Sequence, residues 1–272
     1  MNSQQVDTML SLQGQGFIVL GAGQGIGAQT ALTLAHHGAA VLCVDHDGGA
    51  AERIAQQCGG YAAAADVTVR PDMQRVFDRA AQLFGKSLRG AVDIVGRVHA
   101  KDVSEMTDED WDQQFSVVFK HASMAVQYGA PLLAANGGGS MVFIGSIAGT
   151  AVRTGRMLPY ATAKAALHQL VRGSAKQWAR SGVRMNVVAP GLTRTPRLVE
   201  ANGPEFWAAQ SREIPMGHPA EIEDVVGAVL YFCSGMSRNV TGTVLTVDGG
   251  AHLLGESTYV PNPLREPQGA SR

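Results

Sequence analysis

The sequence predicts a single α/β domain in which a doubly wound parallel sheet of about seven strands carries helices on both faces. Short, almost continuously apolar runs recur along the 272 residues, as expected for strands that are covered on both sides. Helix-length segments, several with apolar residues near helical spacing, separate these runs. Because strand and helix alternate almost throughout, the strands should lie parallel in one sheet.

The predicted strands are the seven apolar runs of the chain, and five of the intervening segments predict helices. The strands are expected at 16–20, 39–44, 61–65, 90–95, 140–144, 184–189 and 243–247. The helices are expected at 25–37, 71–84, 107–135, 159–180 and 219–234. Pro71 suits a first helical turn, where its missing N–H group leaves no helix bond unmade. Thr107 can cap its helix, with Asp110 three residues later in a pattern close to a capping box.

The predicted domain occupies residues 12–252. An N-terminal extension covers 1–11, and a polar, proline-rich tail covers 253–272. The tail is either a frayed end or an arm that packs on another subunit. The length permits one large domain or two small ones, and we expect one because the chain shows neither a linker nor an internal repeat.

Composition and charge exclude several classes of function. A formal net charge of −1 gives no basic field for nucleic acid or an anionic membrane. No apolar run is long enough to span a bilayer, and the first residues lack the order of a signal peptide. Cys43, Cys58 and Cys233 show no metal-binding spacing. We therefore expect reduced thiols, a cytoplasmic protein and no bound metal.

A glycine-rich stretch, GAGQGIGAQT at residues 21–30, follows the first apolar run and opens the first predicted helix. Alone, such a stretch fits a plain loop as well as a phosphate site, but a strand before it and a helix after it are the context that a dinucleotide fingerprint requires. Gly21 can make the tight turn, and the later glycines let the backbone approach a pyrophosphate at the helix N-terminus. The predicted cofactor contacts in this turn are Gly21, Gly23, Gln24, Gly25, Ile26 and Gly27.

A carboxylate ends the second predicted strand and bears on the choice of dinucleotide. Asp45 can accept hydrogen bonds from both hydroxyl groups of an adenosine ribose, and its charge repels a 2′-phosphate. His46 follows it, and neither Arg nor Lys stands beside it to hold such a phosphate. The sequence therefore favours NAD over NADP, with an ordinary strand-end turn residue as the alternative interpretation of Asp45.

Three side chains form a candidate catalytic set. Tyr160 and Lys164, in YATAK at 160–164, are four residues apart on a predicted helix and share one face. A nearby ammonium group favours the phenolate, so it should lower the pKa of Tyr160 toward a range useful for proton transfer. Ser146 lies just past a predicted strand, at the sheet edge where ligands bind in such folds, and its hydroxyl can hold a substrate oxygen.

These residues resemble the classical short-chain dehydrogenase/reductase family over about residues 12–250. The matching stretches are GAGQGIG (21–27), ADVT (65–68), GSIAG (145–149), YATAK (160–164), NVVAPGLTRTP (186–196) and VTGTVLTVDGG (240–250). The resemblance implies a single Rossmann-type domain that works with a nicotinamide cofactor. It also implies that Ser146 polarises the substrate oxygen, that Tyr160 transfers the proton, and that Lys164 binds the nicotinamide ribose.

The resemblance further implies more cofactor contacts, a lid and an oligomer. Asp66 and Val67 would flank the adenine, and Gly96 closes DIVG (93–96), which stands for the family's Asn-Asn-Ala-Gly stretch. The nicotinamide would be held by Pro190, Gly191, Thr193 and Thr195. A lid over the substrate would cover about 196–216. Family members are usually tetramers and sometimes dimers, so we expect a homotetramer or homodimer.

Three positions depart from the family pattern. Leu20 replaces the threonine that usually precedes the first glycine, and Asp93 replaces an amide of the Asn-Asn-Ala-Gly stretch. A covered carboxylate needs donors or a proton, and we expect Asp93 to stabilise the central strand. Val118 stands where the family often has an asparagine that anchors a water linked to the catalytic lysine. The hypothesis is that the enzyme stays active because a backbone carbonyl still holds that water.

The sequence thus predicts an NAD-dependent oxidoreductase that interconverts a cyclic or hydrophobic secondary alcohol and its ketone. Two alternatives stay open, namely a 3-oxoacyl-thioester reductase that uses NADPH and a weakly catalytic cofactor-binding protein. Arg153 and Arg156 are candidates to receive an anionic group of the substrate, although solvated loop arginines are commoner. His99 and Lys101 are candidates for the entrance of the cleft.

Overall fold

The strands form one parallel sheet with the order β3-β2-β1-β4-β5-β6-β7. The computed structural model describes residues 8–151 and 155–253. The strands are β1 (Gly16–Leu20), β2 (Ala40–Asp45), β3 (Tyr61–Ala64), β4 (Leu88–Asp93), β5 (Gly139–Ile144), β6 (Val183–Pro190) and β7 (Val244–Val247). Helices cover both faces, which confirms the predicted fold class. Residues 1–7, Arg153 and residues 254–272 of the predicted tail lie outside the described residues.

Three helices form where the sequence predicts none, at Gly48–Cys58, Pro196–Ala201 and Pro204–Arg212. The α-helices are α1 (Gly25–His36), α2 (Gly48–Cys58), α3 (Arg70–Phe84), α4 (Asp108–Phe115), α5 (His121–Ala135), α6 (Leu158–Trp178), α7 (Pro196–Ala201), α8 (Pro204–Arg212) and α9 (Ile222–Cys233). Two glycines at the start of α2 hide it from a periodicity argument. Its ends are nevertheless well defined, because the Asp47 carboxylate accepts from Ala50 N at 3.1 Å and Gly59 takes the left-handed conformation at φ 64°.

The predicted helix 107–135 is interrupted by a single π turn. The capping box of Thr107 and Asp110 forms as expected at the start of α4. Ser116–Lys120 then form the π turn, in which the backbone N–H of His121 donates to the carbonyl oxygen of Ser116. A π turn adds one residue to a helix and is frequent at functional sites. Val118 lies within this turn and is completely buried.

The direction of sheet growth reverses at β1, which pairs with β2 on one side and with β4 on the other. The connections that follow β1 and β4 therefore leave toward opposite faces, and a crevice opens between them. The glycine turn follows β1, whereas Asp45 and Asp93 end β2 and β4. Because all neighbouring strands are parallel, these groups lie along the same edge of the sheet.

The sheet separates two buried apolar layers. One contains Phe77 and Phe143 and is covered by α3, α5 and α6. The other contains Phe17 and Phe232 and is covered by α1, α2 and α9. With both faces packed, the strands give rigid support to the loops at their carboxyl ends.

The composition-based expectations can be compared with the structure. The three cysteines are free thiols, and the Sγ atoms of Cys43 and Cys58 lie 3.8 Å apart. Within residues 8–151 and 155–253, none of the helices has both the length and the apolar character that crossing a bilayer requires.

Candidate active site

A cleft of about 1580 Å³ runs along the carboxyl edge of the sheet. The predicted site residues that line it are Gly21, Gln24, Gly25, Ile26, Asp45, Asp66, Val67, Gly96, Ser146, Tyr160, Lys164, Pro190, Gly191, Thr193 and Thr195. Gly23 and Gly27 pack against the protein instead. A Cβ atom on Gly27 would overlap the carbonyl oxygen of Gly21, and one on Gly23 would lie 2.7 Å from Asp45 Oδ2. These two glycines therefore keep the turn tight.

The glycine turn offers space and hydrogen-bond donors to a pyrophosphate. Gly21 and Gly25 have positive φ angles of 82° and 56°. A Cβ atom on Gly25 would have Pro196 Cδ as its nearest neighbour, at 3.9 Å, so the backbone there is open to a ligand. Within the described part of the chain, α1 begins with neither a side-chain cap from Gln24 nor an acidic residue in its first turn. Its first N–H groups thus fit the phosphate groups of a dinucleotide.

Asp45 is fixed at the cleft wall by backbone donors. Its Oδ2 accepts from Gly23 N at 2.8 Å, and its Oδ1 accepts from Asp47 N at 3.1 Å. His46 Nδ1 lies 2.9 Å from the same Oδ1, with 85% of the His46 side chain exposed. Arg53, which the sequence analysis missed, donates from α2 to the carbonyl oxygen of Gly23 at 3.1 Å. The carboxylate is thereby oriented at the strand end where such folds bind a ribose.

Ser146 and Tyr160 are joined by a side-chain hydrogen bond. Ser146 follows β5, and its hydroxyl also accepts from Ala148 N at 3.1 Å. Burial raises the pKa of Tyr160 to about 12, although the bond to Ser146 and the charge of Arg197 act in the opposite direction. The predicted lowering of the Tyr160 pKa is therefore wrong for this arrangement, because the loss of solvent outweighs the neighbouring groups.

Lys164 lies one turn beyond Tyr160 on α6, with its Nζ 5.7 Å from the centre of the Tyr160 ring. The side chain is almost fully buried, and Nζ donates to the carbonyl oxygen of Ile144 at 2.6 Å. Burial lowers the pKa of Lys164 to about 8, and the charge of Asp93 acts against this fall. At neutral pH the lysine is thus still an ammonium group, close to the pH at which it releases its proton.

Asp93 forms a buried pair with His121, which the sequence analysis missed. Asp93 Oδ1 and His121 Nε2 lie 3.1 Å apart, and the two side chains are 4% and 1% exposed. Val95 N donates to the same Oδ1 at 3.1 Å. The expectation that this covered carboxylate has donors is confirmed. Asp93 Oδ2 is also buried and has no partner among the described residues.

A second buried histidine, His168, lies one turn beyond Lys164 on α6. Neither of its ring nitrogens has a hydrogen-bond partner among the described residues. The ring packs under the loop that carries Ser146, since a Cβ atom on Gly149 would lie 2.7 Å from His168 Cε1. Burial and the charges of Lys164 and Arg172 lower the pKa of His168 to about 4. His168 is therefore neutral near pH 7.

The predicted lid segment contains α7 and α8 and gives the cleft both apolar and cationic groups. Its apolar residues in the cleft lining are Pro196, Leu198, Ala201 and Ile214. Trp207 is buried instead, with the Arg194 guanidinium 4.6 Å from its ring centre, and Met216 is 63% exposed. Arg197 lines the cleft, and its charge acts on Tyr160.

Three of the loop cations that the sequence analysis considered belong to the described residues, and they lie outside the cleft lining. His99 and Lys101 pair with Asp110 at 3.1 and 2.6 Å and are not part of the described cleft lining. Arg156 is exposed, and its charge acts on Asp102. Among the described residues, the arginines that line the cleft are Arg97 and Arg197.

The chain is similar to known oxidoreductases over most of its length. A model of the family described as Enoyl-(Acyl carrier protein) reductase matches residues 21–252. The chain is 33% identical over 248 residues to a galactitol 2-dehydrogenase (L-tagatose-forming) of Cereibacter sphaeroides, covering 89% of this chain and 97% of that protein. It is 32% identical over 249 residues to a (3R)-3-hydroxyacyl-CoA dehydrogenase of Mus musculus, covering 87% and 95%. A solved 7α-hydroxysteroid dehydrogenase, complexed with NADH and 7-oxo glycochenodeoxycholic acid, matches with a TM-score of 0.85, 31% identity and coverage of 92% and 97%.

Proposed function

The chain belongs to the short-chain dehydrogenase/reductase family and is an oxidoreductase acting on CH–OH groups, and we propose that it is an NAD-dependent dehydrogenase that interconverts a secondary alcohol and its ketone. The observation that carries this proposal is the meeting of Ser146, Tyr160 and Lys164 in one cleft beside the glycine turn. Separate strands and helices supply these groups, and they converge at the sheet edge where this fold binds ligands.

In the proposed mechanism, three side chains share the proton chemistry. The Ser146 hydroxyl holds the substrate oxygen, next to the Tyr160 hydroxyl to which it is bonded. Tyr160 gives its proton to the oxygen when a ketone is reduced, and its raised pKa of about 12 means that it carries this proton at neutral pH. In alcohol oxidation, the buried Lys164 ammonium favours the phenolate that must take the proton. A bound nicotinamide would accept or supply the hydride.

The proposed preference for NAD is based on Asp45. Its carboxylate is oriented at the cleft wall, where it can accept from ribose hydroxyl groups and repel a 2′-phosphate. The solved 7α-hydroxysteroid dehydrogenase is complexed with NADH, which supports the same choice. Arg53 is the nearby cation that would favour a phosphate, but its guanidinium already donates to the Gly23 carbonyl.

We propose a cyclic or otherwise hydrophobic substrate because the lid side of the cleft presents Pro196, Leu198 and Ile214. The similar proteins differ in this respect, since one is a galactitol dehydrogenase and another a hydroxysteroid dehydrogenase. The apolar lining favours the second kind of substrate, whose burial would displace water from these side chains.

A 3-oxoacyl-thioester reductase that uses NADPH is the second candidate. Its support is the similarity to the (3R)-3-hydroxyacyl-CoA dehydrogenase of Mus musculus. The position of Asp45 opposes it, because a carboxylate would repel the 2′-phosphate of NADPH. The third candidate, a weakly catalytic cofactor-binding protein, rests on Val118.

Nicotinamide absorbance with the purified full chain tests the three candidates. The substrates are cyclic and linear secondary alcohols and a 3-hydroxyacyl thioester, each with NAD or NADP. We expect NAD reduction with a cyclic alcohol, and a kcat lower by about 10²–10⁴-fold in Tyr160→Phe. The matched control is Tyr231→Phe on α9, which lies outside the cleft lining and should keep full activity. Turnover of the thioester with NADP alone would replace the proposal by the second candidate, and bound NAD without any turnover would favour the third.

Assembly and location belong to the same proposal. We propose a homotetramer or homodimer, as is usual in the family, and a cytoplasmic location, which the three free thiols support. Light scattering coupled to size exclusion would measure the mass of the assembly, and the mass of a single chain would contradict the proposed oligomer.

A further inference from the structure

The pair of Asp93 and His121 adjoins the carbonyl that anchors the catalytic lysine. Asp93 is the register partner of Phe143 on the neighbouring strand β5. The next residue of β5, Ile144, provides the carbonyl oxygen that accepts from Lys164 Nζ at 2.6 Å. The ammonium group and the carboxylate thus belong to neighbouring strand ends, in a region with little solvent to screen their charges.

Hydrogen bonding defines the charge state of this pair. His121 Nε2 faces Asp93 Oδ1 at 3.1 Å, and His121 Nδ1 faces the Ser116 carbonyl oxygen at a longer 3.4 Å. A carbonyl oxygen accepts only, and so does an ionised carboxylate. A histidine between two such acceptors satisfies both when both of its ring nitrogens carry a proton. The geometry therefore favours an imidazolium paired with a carboxylate.

From this arrangement we propose that Asp93 keeps Lys164 charged, that His121 positions this carboxylate and balances part of its charge, and that the two together set the alkaline limit of the reaction. The inference rests on the proposed function, in which the Lys164 ammonium favours the Tyr160 phenolate. Asp93 and His121 act through Lys164, since neither lines the described cleft. They supply polar groups in a part of the protein where Val118 has a purely apolar side chain.

The groups that face Lys164 support this assignment. From β4 it is faced by Asp93, whose charge raises the pKa of the lysine against the effect of burial. Tyr160 and His168 face it from its own helix, and both are neutral near pH 7 because their pKa values are about 12 and about 4. His121 on α5 is bonded to Asp93. Among the described groups that shift the pKa of Lys164, Asp93 is the one of opposite charge.

Two charge-removing variants that keep the hydrogen bond test the proposal. Asp93→Asn keeps an oxygen that accepts from His121, and His121→Gln keeps an N–H group that donates to Asp93. Without the carboxylate, Lys164 should lose its proton at lower pH, and the alkaline limit of kcat should fall by about one pH unit or more. Without the imidazolium, the carboxylate acts on Lys164 alone, and the limit should rise.

The control separates this effect from a loss of stability. Ser140→Ala removes a buried hydrogen bond to the Phe232 carbonyl, on the opposite side of the fold from the cleft residues. It should lower stability and leave the pH profile unchanged. Equal profiles in all variants, or a shift of both test variants in the same direction, would overturn the proposal.

A second measurement needs neither turnover nor a substitution. Imidazole ¹⁵N resonances of the full-length protein distinguish a doubly protonated ring from a neutral one, and that of His121 can be assigned through its own backbone. We expect His121 to carry both ring protons because each of its ring nitrogens faces an acceptor, whereas His168 should be neutral. A neutral His121 at pH 7 overturns the proposal. If no alcohol is turned over at all, the proposed function fails. The spectrum still tests the charge state of the Asp93–His121 pair, because it does not depend on activity.

Discussion

Two carboxylate–imidazole pairs end the strands that flank β1, and they differ chiefly in exposure. Asp45 and His46 lie 2.9 Å apart, with the carboxylate 11% and the imidazole 85% exposed, whereas Asp93 and His121 lie 3.1 Å apart and are both almost completely buried. Water and salt screen the first pair, so it contributes little to stability. The second pair is not screened. The attraction between its two members offsets the free energy lost when each is removed from water, so neither can be buried favourably alone. The two Asp–His distances are therefore nearly equal, but breaking the two pairs should change the free energy of unfolding by very different amounts.

The same difference suits the two pairs to different tasks. Asp45 must meet a ligand, so it is held by backbone donors and not by its histidine. Asp93 is paired with a buried imidazole, and it is not part of the described cleft lining. A carboxylate that lines the cleft can select a ligand, whereas one buried behind the cleft can act on a neighbouring side chain.

The largest effect is expected when the buried pair is broken. Asp93→Ala leaves His121 without its counter-charge and should lower the free energy of unfolding by about 3–5 kcal/mol. Urea unfolding followed by circular dichroism measures this loss. A loss below about 1 kcal/mol would show that burial does not distinguish the two pairs in the way we describe.

A smaller but specific effect is expected when the exposed pair loses its carboxylate. Asp45→Ser removes the charge that repels a 2′-phosphate and leaves Arg53 nearby, so the NAD-to-NADP ratio of kcat/KM should fall by about 10–100-fold, or about 1.4–2.7 kcal/mol. The matched control is Asp47→Ser, two residues along, because serine can still cap α2 and this position is not part of the cleft lining. An unchanged ratio in Asp45→Ser would contradict the role of Asp45.

His168 sharpens the comparison because it is a buried imidazole without a carboxylate. Its pKa is about 4 in the fold, below the usual 6.5, so between these values the unfolded chain binds more protons. The fold should therefore lose stability as the pH falls from about 6.5 to about 4. His168→Leu should reduce the slope of stability against pH at pH 5 by roughly one proton. The control is His36→Leu, which changes an exposed histidine and should leave that slope unchanged. An equal slope in wild type and His168→Leu would contradict this account.

The smallest effect is expected at His46. His46→Ala should change the free energy of unfolding by less than about 0.5 kcal/mol, because its partner keeps two backbone donors. The affinity for NAD, measured by calorimetry, should stay within about threefold. A large loss of affinity would mean that the imidazole itself contributes to the adenosine site.

The adenosine side of the site could be predicted from the sequence because a strand, a glycine turn and a helix fix its geometry together. Gly21 and Asp45 end consecutive elements of one unit, so their order along the chain also gives their positions in space. The seven strands could also be predicted, because strands covered on both faces are apolar almost throughout and so can be recognised from the local sequence. Three helices were missed. Two of them, α7 and α8, lie in the segment expected as a lid, and the start of α2 depends on a cap by Asp47 rather than on periodicity.

The surroundings of Lys164 could not be predicted, because they depend on packing between distant elements. His121 reaches Asp93 only after a π turn, whose additional residue changes which face of the helix each later residue occupies. Counting from Trp111 with a regular helical period therefore misplaces His121. The raised pKa of Tyr160 has a similar origin, since desolvation sums over every neighbour and the spacing of Tyr160 and Lys164 carries no information about it.

The central position of β1 has a consequence for the time course of folding. β1 pairs with β2 across one helix, but its pairing with β4 must close a loop that contains β2, β3 and two further helices. Such non-local parallel pairing is slow compared with the formation of local structure. Asp45 ends β2 and Ser146 follows β5, so the two residues lie on opposite sides of the β1–β4 pair. A chain that has formed only its first three strands can therefore hold the glycine turn, but it gains the catalytic side of the cleft only when β4 docks.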